Sequence, residues 1–132
     1  MPITIIVDLD VGTFDKSTNI QSYVSNVTLQ TVHKGELYTK DFVVSVSNPK
    51  SFSKPCVIKT LTKCMSYIKN KNAPVVFKFV GKSQSDIDYA ITCLKYLSYW
   101  AKNDWCKKDG KPVMNQEVLQ ELYYSLPTQY NT

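Results

Sequence analysis

Arginine is absent: all 16 basic residues of this 132-residue chain are lysine. The planar fork that reads guanine edges and grips phosphate with two parallel bonds is therefore missing, and any contact with nucleic acid is expected to be non-sequence-specific. Histidine occurs once, as His33 at a predicted hairpin tip, which gives no basis for histidine-centred catalysis. The four cysteines, Cys56, Cys64, Cys93 and Cys106, show no C-x-x-C spacing, so zinc has no ligand pattern, and Cys56, Cys64 and Cys93, placed on predicted helices, read as buried free thiols in a reducing compartment. No apolar run is long enough to span a bilayer, and the amino-terminal residues lack the basic start and cleavage site of a secretory signal. The expected setting is cytoplasmic, with no membrane partner. Alanine occurs only three times against abundant Lys, Asn, Ile and Tyr, a coding bias expected of an AT-rich genome such as a phage or virus.

What remains is a sequence able to form a core. Apolar residues make up 43% and aromatics 12%, with only four glycines and six prolines, which predicts one domain over residues 1–132. A net charge of +5 favours an anionic partner. Residues 3–9 alternate as a strand, with Ile3, Ile5, Val7 and Leu9 on one face and Thr4, Ile6, Asp8 and the following Asp10 on the other. A loop follows, and then residues 20–32 and 37–46 read as two long antiparallel strands joined through Lys34-Gly35, a pair suited to a tight turn. From Ser53, a candidate cap, the period changes: Pro55 suits a first helical turn, and Val57, Ile58, Leu61, Cys64, Met65 and Ile68 recur at three and four, predicting a helix to about residue 70. Residues 73–80 are apolar on both faces apart from Lys78, as expected of a central strand covered on two sides. Ser83 and Asp86 resemble a capping box that opens a helix to about Lys102. Residues 103–112 read as a loop, and Asn115 is expected to cap a last helix.

The predicted fold is α/β: a mixed sheet of antiparallel strands plus a parallel central strand, packed with helices in the order βββαβαα. That order resembles the ribonuclease H-like superfamily. Within it, "VDLDVGTFD" is similar to the first motif of DEDD-type exonucleases, with Asp8 matching the aspartate and Asp10 standing where a glutamate is usual. "FVGKSQSDIDYA" is similar in position to the second motif, with Asp86 matching its aspartate. The resemblance implies phosphodiester hydrolysis with two divalent ions, Mg or Mn, held by Asp8, Asp10 and Asp86. The helix predicted over 55–70 carries no acid, so the glutamate that ribonuclease H places there has no counterpart.

Two functional expectations follow. The first is a non-catalytic interaction or assembly module, without cofactor, that binds protein, a second copy of itself or nucleic acid. Lys59 and Lys63 lie one turn apart on a helix, while Lys102, Lys107 and Lys108 surround Trp105, combining charge with a stacking surface as single-strand binders do. Tyr89, Tyr96, Tyr123 and Tyr124 are the candidate protein interface, since tyrosine anchors such patches. The alternative is a small metal-dependent nuclease using Asp8, Asp10 and Asp86.

Overall fold

The computed structural model describes residues 3–9, 13–48, 54–68 and 73–126. Its strands are β1 (Ile3–Asp8), β2 (Thr13–Asp15), β3 (Ile20–His33), β4 (Glu36–Asn48) and β5 (Val75–Val80); its helices are α1 (Lys54–Met65), α2 (Gln84–Lys102) and α3 (Gln116–Ser125). The expected order is present, with one addition: the first loop contains the three-residue strand β2.

The sheet grows outward from β1. On one side β1 pairs antiparallel with β3 from Ile3↔Thr31 to Val7↔Val27, and on the other it pairs parallel with β5 from Ile3↔Val75 to Asp8↔Val80. β4 lies along the far side of β3 from Gln21↔Asn48 to His33↔Glu36, while β2 extends the β1 edge of β3. The turn between β3 and β4 is Lys34-Gly35, with φ 52° and 80°. Two successive positive angles are what a two-residue type I′ hairpin needs, and they match the twist of the flanking strands.

Alternation decides where the core lies. Ile5, Val7 and Leu9 of the first strand and its end, Tyr23, Ser25 and Val27 of β3, and Val44 of β4 are all buried, whereas Val24 and Val43 between them are exposed. One sheet face therefore carries the core. The helices cover it with Val57, Ile58, Leu61, Cys64 and Met65 of α1, Ala90, Cys93, Leu94 and Leu97 of α2, and Leu119 and Leu122 of α3. β5 departs from expectation: Val76 and Val80 are 48% and 49% exposed, so this strand is covered on one face only. An apolar run fixes burial potential, but the number of layers above a strand is set by the rest of the chain.

Helix α1 also ends sooner than its periodicity predicts. The Ser66 amide and hydroxyl both donate to the Lys63 carbonyl, at 3.1 and 2.6 Å, closing the helix after Met65. The proposed cap Ser53 lies outside the described residues. No helix among the described residues is long and apolar enough to cross a membrane.

Candidate functional site

The carboxyl ends of β1 and β5 lie side by side, and α2 begins after a three-residue turn beyond β5. Leu9 closes the junction twice: its amide donates to the Val80 carbonyl at 2.7 Å, and its carbonyl accepts from the Ser83 amide at 3.2 Å. Gly81 makes this approach feasible. It has φ 122°, and a Cβ there would stand 2.7 Å from Asp8 Oδ1 and nearer still to the Leu9 carbonyl. The first motif and the amino end of α2 are thus adjacent, as the resemblance requires.

The acids within that junction have different surroundings. Asp8 falls between buried Val7 and Leu9, so strand alternation sends it to the face away from the helices. Asp86 lies in the first turn of α2 and is 3% exposed. Its Oδ2 accepts from the Tyr23 hydroxyl and the Ser83 hydroxyl, both at 2.7 Å, and its Oδ1 accepts from the Lys54 ammonium at 2.8 Å. Ser83 accordingly occupies the N-cap position without its side chain capping the backbone. The expected capping pair forms as a side-chain contact instead.

Asp10 lies outside the described residues. Among the described residues no group of three or more His, Cys, Asp or Glu side chains is arranged to hold a metal ion. Asp8 and Asp86 by themselves do not fit a two-ion centre, because one is turned from the core and the other is occupied by protein donors.

The basic and aromatic candidates separate in the same way. Lys59 and Lys63 donate to the Ser47 and Ser45 carbonyls of β4, at 3.1 and 3.0 Å, so both ammonium groups serve an otherwise open sheet edge. Trp105 is only 8% exposed and meets Tyr123 edge to face with centroids 5.8 Å apart, which corrects its reading as an accessible stacking surface. Lys102, Lys107 and Lys108 are exposed. Tyr89 is half-buried, its hydroxyl accepts from the Asn115 side-chain amide at 2.9 Å, and burial raises its phenol well above the ordinary value. Asn115 thus stands at the start of α3 but ties that helix to α2 rather than capping it. Tyr96 is exposed and stacks on Trp100, Tyr123 is half-buried, and Tyr124 is 74% exposed.

No protein-family model matches the chain. A stretch of 39 residues, 29% of the chain, is 49% identical to a ribonuclease H of Tropheryma whipplei and spans 24% of that protein. A stretch of 41 residues is 37% identical to a probable ribonuclease H of Acanthamoeba polyphaga mimivirus and spans 18% of it. Among solved structures, LC9-RNase H1, a type 1 RNase H with the type 2 active-site motif, superposes over 94% of this chain and 57% of its own with a TM-score of 0.59 at 16% identity. The PFV RNase H domain does so over 94% and 70%, with a TM-score of 0.55 at 13% identity. The fold is ribonuclease H-like. This agreement of sequence and fold corrects the expectation of a non-catalytic interaction or assembly module: the relatives are ribonucleases H, and the nuclease alternative fits them better. The first reading gave too much weight to surface lysines and tyrosines: Lys59 and Lys63 bond to β4 carbonyls, and Tyr89 and Tyr123 are half-buried.

Proposed function

We propose that the chain is a ribonuclease H-type nuclease domain that acts on the phosphodiester backbone of an RNA–DNA hybrid. The observation that carries this reading is the 49% identity over 39 residues to a ribonuclease H, joined to a fold shared over 94% of the chain with ribonuclease H structures. One further structural neighbour, a foamy viral protease-reverse transcriptase in complex with RNA/DNA hybrid, supports the substrate class; its TM-score is 0.56 at 13% identity, and this chain spans 15% of it. Each ribonuclease match covers a quarter or less of the relative's length.

The chain's own contributions to such a reaction are limited and specific. Asp8 presents carboxylate oxygens at the mouth of β1, where they can orient a nucleophile or a phosphate-bound cation. Exposed lysines at 102, 107 and 108 offer point charges to phosphates, and without arginine they bind backbone rather than sequence. The divalent ions common to this nuclease class would need acids beyond the described set, with Asp10 the nearest in sequence to Asp8.

An end-labelled RNA–DNA hybrid incubated with the protein in Mg²⁺, in Mn²⁺ and in chelator tests the reading. RNA-strand cleavage that Asp8→Asn abolishes is the expected result. If purified protein leaves the hybrid intact in all three conditions, the nuclease assignment is wrong.

A further inference from the structure

We infer that the Lys54 ammonium is the resident cation of the Asp86 carboxylate, and that this acid is a fixed structural node rather than a ligand for a divalent ion. Asp86 joins three parts of the fold. Tyr23 reaches it from the middle of the sheet, Ser83 from the turn that leaves β5, and Lys54 from the first residue of α1. A carboxylate offers about four acceptor positions, and at least three are filled here, by donors 2.7 to 2.8 Å away.

Lys54 is equally committed. Its Nζ lies 3.4 Å from the Ser85 hydroxyl and 5.6 Å from the centre of the Tyr89 ring, in addition to the ion pair with Asp86. A divalent ion entering this pocket would have to displace an ammonium held by a carboxylate, a hydroxyl and an aromatic face. It would also leave that displaced charge beside the new one, which Coulomb repulsion opposes.

Asp8 does not share the face of Asp86: strand alternation directs its side chain away from the helix-covered side, where Tyr23 and Asp86 are buried. Helix α1, which contributes Lys54 to this pocket, has no acid with which to replace it.

The node therefore substitutes a protein cation for a metal at the second of the two motif aspartates. The inference concerns ion binding and stability, so it stands or falls independently of hybrid cleavage.

Thermal melting without nucleic acid tests it, with each Mg²⁺ or Mn²⁺ titration matched for ionic strength by a monovalent salt. The double variant Asp8→Asn/Asp10→Asn, which keeps Asp86 and Lys54, is expected to show no ion-linked rise in melting temperature. Lys54→Met, measured in chelator, is expected to melt several degrees below wild type because a buried carboxylate loses its partner. An ion-linked rise that persists in the double variant overturns the inference, and so does a Lys54→Met protein that melts with wild type.

Discussion

Gly81 shows how closely the site depends on single atoms. Its positive φ is unfavourable for any side chain, and an added Cβ would press on the Leu9 carbonyl and on Asp8 Oδ1. Both costs apply at once, so Gly81→Ala should destabilise by about 2–3 kcal/mol, measurable as a lower denaturant midpoint with an unchanged slope. The cysteines give a second prediction at this scale. Burial raises the Cys93 thiol to about 11 and the Cys64 thiol to about 12, from an ordinary value of 9.0. A thiol whose pKa is higher in the folded state stabilises the fold fully below its unfolded value, and this contribution disappears as pH rises through the folded one. Stability should therefore hold to about pH 9 and fall steeply above it. In the same samples an aromatic disulfide should titrate Cys106 in the native protein and all four thiols only after unfolding, because Cys56, Cys64 and Cys93 are buried.

Helix ends reveal what the linear pattern could and could not disclose. At the end of α2, the Trp105 amide donates to the Trp100 carbonyl at 2.7 Å while Asp104 holds φ 56°. This six-to-one closure normally places glycine where Asp104 stands. Asp104→Gly should accordingly stabilise by about 0.5–1 kcal/mol, read by thermal melting, since it removes a left-handed penalty without altering a buried contact. The fold was largely legible because its signals are local: alternation marked β1, the Lys34-Gly35 pair marked the hairpin, apolar spacing at three and four marked α1, and cap residues marked the starts of α2 and α3. β2 escaped because three residues are too few for a period. The outer exposure of β5 escaped because cover is supplied by elements distant in sequence. The candidate site was legible in placement but not in chemistry, for a related reason. Adjacency of the first motif and the start of α2 was expected only through the resemblance, and the parallel pairing of β1 with β5 supplies it. The partners of Asp86 were not legible: Tyr23 is 63 residues away and Lys54 is 32 away, and no spacing rule links them. Trp105 likewise belongs to a segment with loop composition, yet its ring is packed on Tyr123.

At the scale of the whole molecule, the lysines fall into two groups that binding measurements can separate. Lys59 and Lys63 hold carbonyls on the outer edge of β4, which shields strand edges from pairing with another chain as well as orienting α1. Lys102, Lys107 and Lys108 project from the end of α2 and the following loop, exposed to solvent. Counterion release makes the salt dependence of binding a count of phosphates neutralised, and every phosphate that a substitution leaves without its lysine reduces the slope of log affinity against log salt by roughly one. Replacing Lys102, Lys107 and Lys108 with glutamine should therefore flatten that slope for an RNA–DNA hybrid while leaving the melting temperature near wild type. Replacing Lys59 and Lys63 should do the reverse, lowering the melting temperature or promoting self-association with little change in slope. If both substitutions flatten the slope equally, the carbonyl bonds on β4 do not withhold those ammonium groups from phosphate, and the basic surface extends across α1 as a continuous track.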